Sequence, residues 1–360
     1  MRILYGVHGY GLGHATRASS VLPSLSARNQ VLVVAGGQAR TELERSCSVF
    51  PVPSLEFHHR RGRLSTMATV GANFPLMLDA LFGGPTRELV GELLAAFKPD
   101  LVISDSEPYT LRAAARAGIP RIGFDHYGAL AFCRPPVPPG RALHLACAGA
   151  FYRGLMGEAE RLVVSAFYDV EPVREGVVRV GPLVRPEVKR ARPRAGDHLL
   201  VYLNRGGHQY DERVQRTVRS LDRPCIVYGA PRQEPEGQIT YRRVGDPRFV
   251  EDLATACGVL CTAGNQLMGE AMYLGKPVLA MPEDSTEQRV NAVAVEQLGI
   301  GEWIPRRRLE PRVLRGFLGR AEVYAARSRA LARDGTEGAL AALERFMVEL
   351  CGGGSFRRAA

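Results

Sequence analysis

Residues 1–17 read MRILYGVHGYGLGHATR. An apolar run, Arg2–Val7, leads into glycines at alternate positions, Gly9, Gly11 and Gly13, and a segment of helical composition, Ala15–Ala27, follows. A short apolar run that ends in glycines and passes into a helix is the opening of a βα unit. The same order returns downstream. Val31–Ala35 is apolar and stops at Gly36 and Gly37. Leu76–Phe97 reads as helix around a GGP interruption at 83–85, Leu101–Ser104 as a strand, and Leu111–Ala117 as a helix stopped by Gly118 and Pro120. Arg121–Phe124 and Arg161–Ser165 are further short strands. Alternation of this kind predicts parallel strands with helices on both faces of the sheet.

Residues 185–197, RPEVKRARPRAGD, are polar and basic and hold two prolines, the character of an interdomain linker. The alternation then restarts. Leu199–Leu203, Cys225–Tyr228, Val259–Cys261 and Pro277–Met281 read as strands; Phe249–Ala256, Gln266–Leu274 and Glu287–Leu298 read as helices. The expected architecture is α/β, with two doubly wound Rossmann-like domains, 1–184 and 198–351, facing a cleft. The last helix is free to pack back on the first domain, and the tail 352–360 is expected to fray. Residues 58–71 and 133–141 read as long surface loops of the kind that carry binding elements.

At 360 residues, 46% of them hydrophobic, each half can bury its own core. No apolar run reaches the ~18 residues of a membrane-spanning helix, and the start lacks the long apolar stretch of a signal peptide, so a cytoplasmic protein is expected. Seven cysteines, at 47, 133, 147, 225, 257, 261 and 351, form no CxxC pair and complete no zinc set, so they read as buried reduced thiols. The net charge of +10 favours acidic partners such as nucleotide phosphates or an anionic lipid surface. No nucleic-acid motif accompanies it.

The glycine turn lets backbone approach a ligand and exposes a helix N-terminus to negative charge. It is not a dinucleotide fingerprint. His14 stands where G-x-G-x-x-G needs its last glycine, and Val34-Ala35-Gly36-Gly37 stands where an acidic residue would meet the ribose. His14 at a ligand-facing helix start is a candidate general base, or else a hydrogen-bonded structural histidine. In the second half, Thr262–Ala292 reads TAGNQLMGEAMYLGKPVLAMPEDSTEQRVNA. Gly264 opens a helix whose free N–H groups could hold a diphosphate. Glu270, among small and apolar neighbours, could accept from a ribose diol, and Gln288 and Asn291 share a face three residues apart. Asn204-Arg205-Gly206-Gly207 after a strand is a further phosphate candidate. Each could equally be an ordinary turn or a solvated helix start.

The pattern G-x-G-x-G-H near the start, with A-G-N-x-x-x-x-E-A-x-x-x-G-K-P-V-L-x-x-P…E-Q-x-x-N-A near the end, resembles the GT-B glycosyltransferases. It is most similar to their family 1/28-like members, relatives of the peptidoglycan N-acetylglucosaminyltransferase and of the macrolide glycosyltransferases. The resemblance implies a nucleotide-sugar donor, UDP-linked by default, on the second domain and an acceptor on the first. It implies Glu270 on the ribose, Gln288 and Glu287 on the donor sugar, Gly264, Asn265, Asn204 and Arg205 on the diphosphate, and Val244 by the base. It makes His14 the base of an inverting transfer. Asp105 is the first candidate to orient it, Glu107 the second, with Asp125-His126 as a third acid–base pair. One departure stands out: many relatives carry a second glycine where this chain has Asn265. No acidic metal pair such as DxD occurs, so no metal and no cofactor are expected. Arg60, Arg61 and Arg63 are candidates for peripheral contact with an anionic membrane, and the acceptor stays unknown. The alternatives are a nucleotide-sugar 2-epimerase of the same architecture and a non-catalytic nucleotide-sugar-binding protein.

Overall fold

The computed structural model describes residues 1–60, 63–194, 196–203 and 206–352, with the side chains at 60, 63 and 66 outside the description. Asn204 and Arg205, both expected at the diphosphate, lie outside the described residues, as do Arg61 and the tail 353–360.

Two parallel sheets form. The first has seven strands in the spatial order Val177–Val180, Arg161–Ser165, Arg121–Asp125, Leu101–Asp105, Arg2–Val7, Gln30–Ala35, Val49–Pro51. The second has six, in the order Ile239–Arg242, Cys225–Tyr228, Leu199–Tyr202, Gly258–Cys261, Val278–Ala280, Gly301–Trp303. Both are parallel throughout. In each, the sequence order reverses beside the first strand, and ligands of open α/β sheets bind at the carboxyl ends of strands at such a point. Register puts Val7 beside Asp105 and Ala35, so the glycine turn and Asp105 leave the sheet at one level.

The expected loop 58–71 is partly ordered. Strands His59–Arg60 and Arg63–Leu64 pair as a hairpin, and helix Thr66–Phe82 begins at once, capped by the Ser65 side chain on Ala68 N. Its alanine, methionine and leucine content outweighs the polar start that suggested a loop. The helix after the glycine turn begins at Leu12, three residues earlier than its composition suggested, because Gly11 supplies the φ of +79° that turns the chain into it.

The chain crosses between the two halves twice. The first crossing, after Val180, contains the short helix Pro186–Arg190. The second ends at Gly335, and helix Thr336–Cys351 then returns to the first sheet. There Ala339, Leu343, Phe346 and Met347 join the core built on Ile3, Tyr5, Val33 and Val163. The crossings touch: Gly335 N donates to Pro182 O at 2.7 Å, and Val184 N meets Asp334 Oδ1 at 3.4 Å. A Cβ on Gly335 would lie 2.3 Å from the Gly181 carbonyl, so the contact requires glycine. Among the described residues no helix is long and apolar enough to cross a membrane.

Candidate active site

Helix Leu12–Ser26 places His14 over the end of strand Leu101–Asp105. Nδ1 of His14 lies 2.7 Å from Oδ1 of Asp105. The carboxylate is fully buried and grips Arg17 with both oxygens, Nε to Oδ2 at 2.8 Å and Nη2 to Oδ1 at 2.6 Å. Burial alone would raise the Asp105 pKa, but Arg17 and then His14 outweigh it and hold the carboxyl below its ordinary value. An ionised carboxylate only accepts, so the Nδ1 that faces Asp105 carries a proton, and Arg17 Nη2 lies 3.1 Å from the same nitrogen. The result is an arginine–aspartate–histidine cluster in which Nε2 is the ring nitrogen turned away from the carboxylate.

A cavity of about 1750 Å³ opens over this cluster and runs between the domains. Two helix starts converge on it. Helix Leu12–Ser26 begins at Gly11 and helix Asn265–Tyr273 at Gly264, and neither has a side-chain cap or an acid in its first turn. They are close: a Cβ on Gly13 would lie 3.7 Å from Cβ of Gln266. Helix starts present N–H groups and the positive end of the helix dipole, which favour an anion, although at the second start the Asn265 N–H is already taken by Glu287.

The second domain supplies carboxylates and amides. Glu270 is 1% exposed and lines the cavity, with both oxygens paired to Arg185 at 2.8 Å and Oε1 also accepting from Gln266 at 3.0 Å. The Arg185 guanidinium in turn lies over the Phe249 ring. Gln288 lines the cavity and accepts from Glu283 N at 2.8 Å. Among the described residues no lysine or arginine pairs with Glu287. Burial pushes it up to about 7, opposed in part by the Asn291 amide, which donates to it at 2.5 Å, and by the Asn265 N–H. Contacts cross the cleft here. His126 Nδ1 donates to Ser165 O at 2.9 Å, and its Nε2 lies 3.1 Å from Asn291 Oδ1 and 3.6 Å from Glu287. His59 Nε2 reaches Glu283 at 3.0 Å, and its ring stacks on His208. Among the described residues no group of three or more His, Cys, Asp or Glu side chains is placed to hold a metal ion.

With this geometry, the sequence matches the glycosyl transferase family 1 model over residues 1–321. The chain belongs to that family. It is a glycosyltransferase with the GT-B fold. This family 1 glycosyltransferase is 25% identical over 332 residues to an uncharacterized glycosyltransferase of Methanosarcina mazei, covering 84% of this chain and 86% of that protein. A 184-residue stretch is 28% identical to the UDP-N-acetylglucosamine–N-acetylmuramyl-(pentapeptide) pyrophosphoryl-undecaprenol N-acetylglucosamine transferase of Mycolicibacterium vanbaalenii, covering 46% of each. In fold it matches the calicheamicin glycosyltransferase CalG4, with a TM-score of 0.66 at 19% identity over 97% of this chain and 98% of that one. The MurG of Acinetobacter baumannii gives 0.59 at 16%, over 96% and 99%.

The structure brings His14, Asp105, Gly11, Gly13, Gly264, Asn265, Glu270, Glu287 and Gln288 to the cavity or its immediate wall. It places others elsewhere. Gly9 lies behind the turn, against Gly36, and Val244 packs near Gly229, outside the cavity lining; Gly245 to Pro247, Phe249 and Val250 line it instead. The Asn265 side chain faces the first domain, at 3.4 Å from Phe167 N and from Ser165 O. Glu107 caps helix Pro108–Arg116, and Asp125 accepts from Gly128 N and the Tyr152 hydroxyl, so neither meets His14. Sequence reading missed Arg17 and Arg185. Arg17 was findable, since it follows His14 by three residues and so shares its helix face. Arg185 was not, because nothing local marks it among the arginines of the linker.

Proposed function

We propose that the protein is an inverting, metal-independent glycosyltransferase that moves a sugar from a nucleoside diphosphate donor to an acceptor hydroxyl or amine. The observation that carries the reading is the His14–Asp105 contact in a cavity walled by two helix starts that lack an acid in their first turn. The acceptor lies over the first domain. His14 Nε2 takes its proton as the oxygen or nitrogen attacks the anomeric carbon, and Asp105 stabilises the imidazolium. The leaving diphosphate collects its charge against the Gly11 and Gly264 helix starts, an electrostatic role that needs no metal. Glu270 addresses the ribose through the accepting capacity that Arg185 and Gln266 leave open, and Gln288 and Glu287 face the donor sugar. UDP is the default nucleotide, in keeping with the substrate named for the Mycolicibacterium relative.

Thermal unfolding against UDP, TDP, GDP and NAD tests the donor half. A ligand at ~100 times its dissociation constant adds about 2.7 kcal/mol, so one nucleoside diphosphate should raise the melting temperature and NAD should not. His14→Ala should cut transfer by ~10²–10⁴ while nucleotide binding persists. Near-normal transfer in that variant removes His14 from the chemistry.

Peripheral contact with an anionic membrane belongs to the same reading. Arg60 and Arg63 flank the hairpin tip, and helix Thr66–Phe82 next to it exposes Met67, Phe74 and Phe82 at 88%, 53% and 78%. Flotation with phosphatidylglycerol vesicles but not with phosphatidylcholine vesicles is the expected outcome; equal partition into both, or into neither, rejects it.

A further inference from the structure

One contact between the domains is short of a hydrogen. His126 follows the first-domain strand Arg121–Asp125 and is 3% exposed. Its Nδ1 lies 2.9 Å from the Ser165 carbonyl oxygen, which only accepts, so Nδ1 carries a proton. Its Nε2 faces the second domain, 3.1 Å from Asn291 Oδ1 and 3.6 Å from Glu287 Oε1. Both hydrogens of the Asn291 amide are already placed, on Ala263 O at 2.9 Å and on Glu287 Oε1 at 2.5 Å. Turning the amide over would set its oxygen against those two acceptors, so its partners fix its orientation. With a neutral ring and an ionised carboxylate, Nε2, Oδ1 and Oε1 would face one another with lone pairs only.

One added proton resolves this triangle. On Nε2 it makes an imidazolium that donates to Asn291 and stands beside the Glu287 carboxylate. On Glu287 it makes a carboxylic acid that turns a donor toward Nε2. Both forms hold the same number of protons, so the two residues titrate as a pair. Burial acts in the same direction. It lowers His126 to about 4, and it raises Glu287 to about 7 against the Asn291 amide and the Asn265 N–H. A buried Glu287 anion with no bridging proton is therefore the least favoured state. The other charged and titratable groups facing the pair are few. Arg17 and His14, on helix Leu12–Ser26, disfavour a charge on His126, and Arg17 also favours ionised Glu287, but the Arg17 guanidinium is gripped by both oxygens of Asp105. Tyr127 lies beside Glu287, and the Tyr168 ring meets the His126 ring edge-on at 5.9 Å; burial keeps both phenols neutral.

We propose that His126 is a positioning residue of the donor-sugar site, holding helix Thr286–Leu298, and with it Glu287 and Gln288, against the first domain through one shared proton. This rests on the reading of Glu287 and Gln288 as donor-sugar contacts. The assembled contact keeps the proton and the separated groups release it, so the site is tight on the acid side of neutrality and loosens as pH rises. His126 takes no part in removing the proton of the acceptor.

The test titrates the full chain calorimetrically with UDP-, TDP- and GDP-glucose at about pH 6.5 and pH 8.5, in phosphate and in Tris. Binding should take up protons, seen as a heat that differs between the buffers, and Kd should be at least about threefold weaker at the higher pH. His126→Gln keeps an N–H in the place of Nε2 at every pH, so its Kd should agree within about twofold between the two conditions. His126→Ala should bind about tenfold more weakly at the lower pH and also lose the pH dependence. A histidine with a merely structural role would weaken binding equally at both pH values. Ligand-free melting curves supply the second readout. The melting temperature of the wild type relative to His126→Gln should fall between about pH 6.5 and pH 8.5. The same pH dependence in wild type and glutamine variant, or melting temperatures that run parallel, overturns the proposal. If a sugar nucleotide binds without proton uptake, His126 has another role and the transferase reading stands. If none binds at either pH while the melting curves diverge, the donor reading falls and the shared proton stands.

Discussion

Asp105 and Glu287 are both buried carboxylates at the one cleft, one from each domain, and they end in opposite states. Asp105 has a buried arginine on both oxygens and stays ionised well below neutral pH. Glu287 has the Asn291 amide, the Asn265 N–H and, at 3.6 Å, the His126 ring, but no arginine or lysine among the described residues, and burial carries it up to about 7. Burial depth is similar, at 0% and 9% exposure, so depth does not set the charge. The partner does. One domain thus holds an ionised carboxylate behind His14, and the other holds a group that gains or loses a proton near neutrality.

The contrast breaks most sharply at Asp105. Asp105→Asn should lower transfer by ~10²–10⁴, because an amide no longer fixes the His14 tautomer or stabilises the imidazolium. It also strands Arg17, 3% exposed, without a counter-charge, at a cost of about 3–5 kcal/mol in stability. Steady-state rates and chemical unfolding on the same preparation separate the two effects. An Asn variant as stable as the wild type would show that Arg17 has another partner.

Glu287→Gln tests the other side. Its folded pKa is raised above the unfolded value, so the folded state holds the proton more tightly. Its contribution to stability is fully present below about 4.5 and is lost as pH rises to about 7. The swing is about 3 kcal/mol. The glutamine variant should lose it, and gain on the wild type between pH 5 and pH 8 in paired melting curves. Parallel curves would mean that Glu287 ionises normally. The smallest effect is at Ser285, whose side chain caps the helix Thr286–Leu298 that carries Glu287. Ser285→Ala should cost about 1 kcal/mol and leave the pH profile of transfer in place. A shifted profile would tie the helix start to the Glu287 proton.

The strands legible in the sequence are the inner ones. Leu101–Asp105 and Gly258–Cys261 are buried at every position and read as unbroken apolar runs. Within the two parallel sheets four strands escaped notice, Val49–Pro51, Val177–Val180, Ile239–Arg242 and Gly301–Trp303. Each is an outer edge of its sheet. Edge strands have a neighbour on one side only, and each of these holds part-exposed positions within three or four residues, too short for a period to show. At the site, His14, Glu270 and Gln288 were legible because each sits inside a compact glycine-bearing motif. Arg185 was not, since its meaning comes from a group brought near by the fold. The Arg185–Glu270 pair joins residues 85 positions apart.

The returning helix Thr336–Cys351 has a consequence for anyone who would exchange parts of this molecule. A chimera cut once, in the first crossing, would graft a new second half and take away the piece that covers Ile3, Tyr5 and Val33. The recipient half would arrive with an open core. The heritable unit of the first domain is therefore discontinuous: residues up to about Val184 together with 336–351. Any design that exchanges the second half needs two junctions, placed where Gly181 and Gly335 touch.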